Sequence, residues 1–294
     1  KAINPSAEPE IAKSSAATAS VDGQQTFGQV VATFATNLAM ELARKHGISV
    51  VTMSNHAHTG RIGTYPELAA RDGMAAMMYT GLWGGRFSRV APFGGREARL
   101  GTNPLAVSFP YKDKTPFLLD FATSVAAEGK FRVYQARGEQ LPDQWVIRSD
   151  GVPSADPNDL YTGGSMLPLG GLSSGHKGYA LSMMVSFLGA VLGRLSGRAS
   201  NEEDSKTGSS IIVIDLKHLG SDEMIASEVE ELMHHVKDTP PIQGTEEVLY
   251  PGELEARTRS HRMQRGVEVE QATWDTIKGL VADFGLVTTL DIPD

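Results

Sequence analysis

Between Gly178 and Gly193 the chain runs without a charge, GYALSMMVSFLGAVLG. A membrane-spanning helix needs about 20 consecutive apolar residues, and this run stops short of that length. It is crowded with small residues, which suit close packing against neighbours. The run therefore predicts a helix from about Lys177 to Leu195, buried on all sides in a core rather than in a membrane.

The flanking patterns predict an α/β chain. Phe27, Val30, Val31, Phe34, Leu38 and Leu42 recur at helical spacing. Lys45 and His46 suit a last helical turn, and Gly47 suits the stop. Ile48–Met53 reads as a buried strand, and a helix-to-strand step through one Gly is typical of α/β units. A helix is expected over Pro66–Arg71, a strand over Met74–Tyr79, and strands at Leu105–Phe109 and Phe117–Phe121. Ser124–Arg137 reads as a helix, and residues 138–175 as loop-rich. Residues 196–209 read as a polar, mobile segment. SIIVID, Ser210–Asp215, reads as a strand. Helices are expected over Asp222–Lys237, Gly252–Arg265 and Thr273–Phe284, the last with Trp274, Ile277, Leu280, Val281 and Phe284 on its apolar side.

Composition removes several function classes. The chain has 294 residues, room for one large domain or two modest ones. Its net charge is −8 and no cluster of Lys and Arg stands out, which argues against a nucleic-acid surface. There is no cysteine, so disulfides, thiolate metal sites and Cys nucleophiles are excluded. That suits a cytoplasmic setting. Lys1 is not an initiator Met and no signal peptide follows it, so the numbering is read as starting inside a longer chain.

Neither the G-x-G-x-x-G dinucleotide fingerprint nor the GxxxxGK[ST] phosphate loop occurs. Other segments nonetheless look built to approach a ligand. SNHAHTGRIG, residues 54–63, follows a strand directly, and ligands collect at the carboxyl ends of strands in open α/β sheets. Its glycines let backbone N–H groups come close to an anion. A zinc site built on His56 and His58 lacks a third ligand at recognisable spacing; plain hydrogen-bonded histidines in a turn are the alternative. In APFGGREARLGTNP, Ala91–Pro104, Gly94, Gly95 and Gly101 permit unusual backbone angles, and Arg96 and Arg99 suit carboxylates or phosphates. Asp120-Phe121-Ala122-Thr123-Ser124 closes a strand and opens a helix, where Thr123 or Ser124 can cap and the amides can hold a phosphate. Gly175-His176-Lys177-Gly178 is expected to open the long apolar helix, with Lys177 facing an anion or merely snorkelling.

Taken together, VDGQQTFGQ, SNHAHTGRIGTY, APFGGREARLGTNPLAVSFP, LLDFATSVAAEGK, GGLSSGHKGYALSMM and YPGELE resemble the malate/L-lactate dehydrogenase family of the non-Rossmann type. That family includes ureidoglycolate, sulfolactate and diketogulonate oxidoreductases and Δ1-piperideine-2-carboxylate reductases. The resemblance spans nearly the whole chain. It implies an α/β fold distinct from the Rossmann type, with mixed sheets, packed helices and an obligate-type homodimer. On that frame residues 1–25 are an extended arm and linker, 26–197 the nucleotide- and substrate-binding α/β region, and 198–294 a C-terminal α/β region completing the same fold.

The resemblance also implies NADPH or NADH as hydride carrier. Cofactor contacts are implied at His58, Thr59, Gly60, Arg61 and Ile62, at Asp120, Phe121, Ala122, Thr123 and Ser124, at His176 and Lys177, and at Pro251, Gly252 and Glu253. Thr102 is placed at the substrate. The expected activity interconverts a small 2-oxo acid and a 2-hydroxy acid. The alternatives are reduction of a cyclic imine carboxylate, or a non-catalytic nucleotide-binding relative that has lost its acid/base. The family's acid/base His stands in a Ser-His-Gly segment, which is absent here and would precede Lys1. Lys130 stands where some members carry an acid thought to tune that His, and as a cation it could instead hold the substrate's charge.

Overall fold

Seven strands build the main sheet, and the one read from SIIVID lies in its middle. A computed structural model of the protein describes residues 3–195 and 206–286. In chain order the elements are β1 (Glu10–Ser14), β2 (Thr18–Asp22), α1 (Gly28–His46), β3 (Ile48–Ser54), α2 (Thr64–Arg71), β4 (Met74–Trp83), β5 (Pro104–Phe109), β6 (Phe117–Ala122) and α3 (Glu128–Arg137). There follow β7 (Val146–Ile147), β8 (Pro153–Ser154), β9 (Ser165–Met166), α4 (Gly171–Val185), a π-helical stretch Ser186–Val191, α5 (Leu192–Arg194), β10 (Lys206–Asp215) and α6 (Asp222–Lys237). Residues 1–252 form one unit. The second unit holds α7 (Glu253–Arg265) and α8 (Gln271–Asp283).

The main sheet has the order β1-β2-β3-β10-β4-β5-β6. β2 and β3 are parallel, and the other neighbouring pairs are antiparallel. The two strands in the stretch read as an arm thus belong to this sheet. Alternation along the strands sends residues to two faces. Met53, Val51, Ala76, Met78, Ile211 and Val213 join one core with α1 and α2, while Met77, Tyr79, Leu105 and Ile212 join another with Val185 and Leu188.

α1 presents small residues to the sheet. Val31, Ala32, Ala35, Ala39 and Ala43 are fully buried, whereas Phe27 and Val30, grouped with the apolar face in sequence, are exposed. Alanines have no volume to stand the helix off, so its backbone sits close to the strands. Gly47 takes φ 82 and its N–H returns to the Ala43 carbonyl, closing the helix where the sequence places the stop.

The long apolar helix begins earlier than expected, at Gly171 after a left-handed Gly170, and is not enclosed on all sides. Leu172, Met184 and Phe187 are exposed. Its other side lies against the sheet through glycines. A Cβ on Gly189 would stand 2.6 Å from the Gly81 nitrogen, and one on Gly193 2.6 Å from the Met53 carbonyl. The small residues therefore serve one backbone-to-backbone contact, and the π-helical stretch lies at it.

Further differences are local. α3 begins at Glu128 rather than Ser124, because residues 124–125 first pair with a neighbouring segment: Ser124 bridges Pro168 and the Val125 N–H donates to the Leu167 carbonyl. The loop-rich stretch contains a small sheet of order β8-β7-β9. Of the polar stretch 196–209, residues 196–205 lie outside the described residues and 206–209 belong to β10. In the second unit no residue of α7 or α8 is buried; Trp274, Ile277 and Val281 are half-buried, whereas Leu280 and Phe284 are exposed. Among the described residues no helix is long and apolar enough to cross a membrane.

Candidate active site

The sheet topology gathers most of the sequence motifs at one edge. β2, β3, β4 and β6 all run in the same direction, with β5 and β10 opposed. Asp22, Ser54, Trp83 and Ala122 at the strand ends therefore share an edge with Thr102 and Asn103, which precede β5. This is the carboxyl-end side at which open α/β sheets bind ligands.

Two loops are zipped together at that edge. The Gly23 N–H donates to the Ser54 carbonyl at 2.9 Å, Gln25 to Asn55 at 2.7 Å, and Ala57 to Thr26 at 3.0 Å. Gly28, opening α1, lies so close to this loop that a Cβ would meet the Ala57 carbonyl oxygen at 2.2 Å. Gln24, Gln25 and Asn55 all adopt positive φ, an uncommon backbone state for residues with a Cβ.

His56 lies inside this junction. One ring nitrogen, Nδ1, is 2.8 Å from the Ala57 carbonyl, so it carries the proton of the neutral ring. Nε2 is enclosed and has no hydrogen-bond partner among the described residues. Burial pushes the His56 pKa down; the Ala57 carbonyl opposes this, and neighbouring His58 adds to it. The adjacent Asn55 Oδ1 is a second enclosed acceptor without a partner among the described residues. Sequence reasoning weighed His56 only as a zinc ligand or a turn residue; its place immediately after a strand was the available signal. His56 and His58 gain no third His, Asp or Glu in a metal-sized group among the described residues.

The rest of the loop is tied across the sheet edge to β6. The Gly63 N–H donates to Asp120 Oδ2 at 2.9 Å, and Arg61 stands 3.7 Å from the same oxygen and 3.2 Å from Glu67. Burial works against the Glu67 carboxylate, but hydrogen bonds from Arg71 and Arg61 outweigh it and hold the carboxyl below its usual range. His58 is exposed, with Nδ1 accepting the Gly60 N–H at 2.9 Å. Thr59 is buried and its carbonyl accepts the Tyr65 hydroxyl at 2.6 Å. Ile62 is a core residue, 2% exposed. The loop thus offers backbone, His58 and Arg61 to a ligand rather than Thr59 or Ile62 side chains.

Thr123 and Ser124 do not cap α3. Thr123 Oγ1 donates to the carbonyls of Thr102 and Asn103 at 3.1 and 2.9 Å, and Ser124 Oγ to that of Ala126 at 2.7 Å. Ala127 is the capping position and brings no side-chain bond. Phe121 packs in the core facing the long helix, and Ala122 is half-buried. Thr102 keeps its hydroxyl half-exposed with no hydrogen bond among the described residues. Asn103 is the buried hub: Oδ1 accepts the Leu82 N–H at 2.8 Å, and Nδ2 donates to the Ser182 and Ser186 hydroxyls at 3.1 and 3.0 Å.

Gly175-His176-Lys177 does not open its helix but lies in the second turn of α4. The His176 ring meets Phe93 of the APFGG segment edge-on at 5.7 Å, and Lys177 is exposed. No side chain caps the first amides of α4. In the Ala91–Pro104 stretch, Arg99 is paired with Glu97 on the surface. The Pro251 carbonyl accepts the Leu118 N–H at 2.9 Å, which fastens Pro251 and Gly252 beside β6. Glu253 opens the second unit, where it pairs with Arg257. Lys130 is exposed on α3, its ammonium without an ion pair among the described residues.

A mixed sheet, a strained and tied loop at its carboxyl edge, and no Rossmann loop define a non-Rossmann α/β class with a half-buried imidazole at that edge. The chain belongs to the malate/L-lactate dehydrogenase family, whose model matches residues 1–278. It is 37% identical over 275 residues to a malate dehydrogenase of Pyrococcus abyssi, covering 90% of this chain and 74% of that one. The structure of malate dehydrogenase from Entamoeba histolytica superposes with a TM-score of 0.89 at 29% identity, covering 100% of this chain and 83% of that one. Δ1-piperideine-2-carboxylate reductase from Pseudomonas syringae pathovar tomato superposes with a TM-score of 0.77 at 27% identity, covering 95% and 82%.

Proposed function

We propose that the protein interconverts a small 2-oxo acid and its 2-hydroxy acid, of the malate and lactate type, with NADH or NADPH. The nicotinamide supplies or takes up the hydride. The gathering of the loop after β3, the end of β6 and the Thr102-Asn103 turn at one carboxyl edge of the sheet carries this proposal. The hydroxyl proton leaves to a general base when a hydroxy acid is oxidised and returns from it when an oxo acid is reduced.

The residues present fit a dinucleotide. The uncapped start of α4 and exposed Lys177 suit its phosphates. The backbone at His58–Arg61, the Asp120–Ser124 segment, His176 and Pro251-Gly252-Glu253 are the contacts inferred for the rest. Thr102 is assigned to the substrate, and Lys130 remains a candidate for the substrate's charge.

Titration with NADH and with NADPH, followed by nicotinamide fluorescence, tests the cofactor. Oxidation of malate and lactate, followed by formation of the reduced nicotinamide, tests the reaction. Turnover of either acid supports the reading; no turnover of any 2-hydroxy acid by protein that binds the cofactor overturns it. The likeness to a Δ1-piperideine-2-carboxylate reductase favours cyclic imine reduction as the second reading, and a substrate panel separates the two. A homodimer is the assembly inferred, with exposed Leu172, Met184 and Phe187 on the long helix offering apolar surface for it.

A further inference from the structure

We infer that Asn103 is a positioning residue for the substrate: its buried amide anchors the Gly101-Thr102-Asn103 turn and so holds the Thr102 hydroxyl at the carboxyl edge of the sheet. This rests on the proposed function, which assigns Thr102 to the substrate.

Gly101 and Asn103 are buried, and Thr102 between them is half-buried, so the turn offers one side chain to the surface. Asn103 is 1% exposed, and its amide spans two elements. Oδ1 accepts the Leu82 N–H near the end of β4, and the Leu82 carbonyl takes the Gly101 N–H at 2.8 Å in return. A backbone N–H only donates, so it fixes the oxygen side of the amide toward β4. The NH2 side then donates to the hydroxyls of Ser182 in α4 and Ser186 in the π-helical stretch, both buried. The Ser186 hydroxyl donates its own hydrogen to the Ser182 carbonyl at 2.8 Å, which leaves its lone pairs to accept from Asn103. A Cβ on Gly101 would stand 2.8 Å from Asn103 Oδ1 and 2.9 Å from the Leu82 Cβ, so this approach requires a glycine.

The residue after β6 holds the turn from another side. The Thr123 N–H donates to the Thr102 carbonyl at 2.9 Å, and the Thr123 hydroxyl donates to the carbonyls of Thr102 and Asn103. These ties use main-chain atoms and the Asn103 amide, and they leave the Thr102 hydroxyl to a ligand. Asn103 takes φ 40, an uncommon state for a residue with a Cβ, which persists only where the surroundings over-determine it. Here β4, Thr123 and the long helix do so together. Because α4 also carries His176 and Lys177, the same amide sets the Thr102 hydroxyl at a fixed place relative to residues proposed for the dinucleotide.

Steady-state oxidation of malate and lactate by purified variants tests the inference. Thr102→Val removes the hydroxyl and keeps the shape. It is expected to raise KM for the acid about tenfold, the size of one well-placed hydrogen bond. Asn103→Gly removes the amide and leaves a residue at home in the left-handed state. It is expected to raise KM by a similar factor, while Kd for NADH or NADPH, titrated without the acid, stays at the wild-type value. Beside Thr102→Val it should add little, because Asn103 acts through that hydroxyl. Asn103→Asp keeps the acceptor for Leu82, and the serine hydroxyls can turn to donate to it. Its KM is expected between wild type and Asn103→Gly, and it is judged on the same outcomes where the glycine variant does not fold. A wild-type KM in folded protein, a KM effect that multiplies in full with that of Thr102→Val, or an equal loss of acid and cofactor binding overturns the inference while leaving the function standing. If Thr102→Val itself keeps the wild-type KM, the placement of Thr102 and the inference fall together. No turnover of any 2-hydroxy acid by protein that binds the cofactor sinks the underlying reading, and the inference with it.

Discussion

The backbone N–H of Gly63 donates to Asp120 Oδ2 at 2.9 Å, tying the loop after β3 to the end of β6. β10, β4 and β5 lie between those strands in the sheet. A Cβ at Gly63 would reach 2.6 Å from the same oxygen, so the tie needs a glycine. Replacing Asp120 with Ala leaves the Gly63 amide without that acceptor. Leaving a buried donor unsatisfied costs about 1–3 kcal/mol. The expected result is a lowered Tm and weaker NADH or NADPH binding, read by thermal unfolding and fluorescence titration. An unchanged cofactor Kd would separate the tie from the cofactor site.

Burial of the His56 ring makes stability depend on pH. Its pKa lies below the ordinary imidazole value of about 6.5. The neutral ring's contribution is present above the unfolded pKa and is lost as pH falls through the folded one. His56→Gln should flatten that acid limb, which denaturant melts at several pH values would show.

Lys177 is exposed on α4, whose first amides no side chain caps. Lys177→Ala should weaken dinucleotide binding several-fold at low salt and by less at high salt, because exposed charge interactions are screened. Titrations at two ionic strengths check this. Equal losses at both would argue for a packing effect.

Gly189 lies against β4 with no room for a side chain. A Cβ there would be 2.6 Å from the Gly81 nitrogen and 3.1 Å from the Tyr79 carbonyl. Overpacking of this kind costs about 1–3 kcal/mol. At roughly 2–4 °C per kcal/mol for a protein of this size, Gly189→Ala should melt several degrees lower. Calorimetry or circular dichroism would register it, and an unchanged Tm would mean that helix and sheet are not in direct backbone contact.

Much of the fold is legible in local pattern. The strand from Ile48, the helix ending at Gly47, and the SIIVID strand follow from apolar runs and a stop glycine, which act over a few residues. The start of α3 does not, because residues 124–125 are held by Pro168 and Leu167, distant in sequence. Nor does the exposed face of the long helix. Small residues signal close contact, but not that a single sheet supplies it.

For the site, the sequence by itself pointed to candidate segments and carries no Rossmann fingerprint, since ligand-approaching loops announce themselves by Gly, Asn, His and Arg after strands. Only the tertiary structure decided what each side chain does there. Thr123 and Ser124, free to cap on paper, are held by the carbonyls of Thr102, Asn103 and Ala126. Asp22 and Asn55 are 33 residues apart and become partners only because β2 and β3 pair in parallel. Hydrogen-bond partners separated along the chain are set by strand register, which the local sequence leaves open, and register is what makes an ordinary Asn-His pair two enclosed acceptors at the sheet edge.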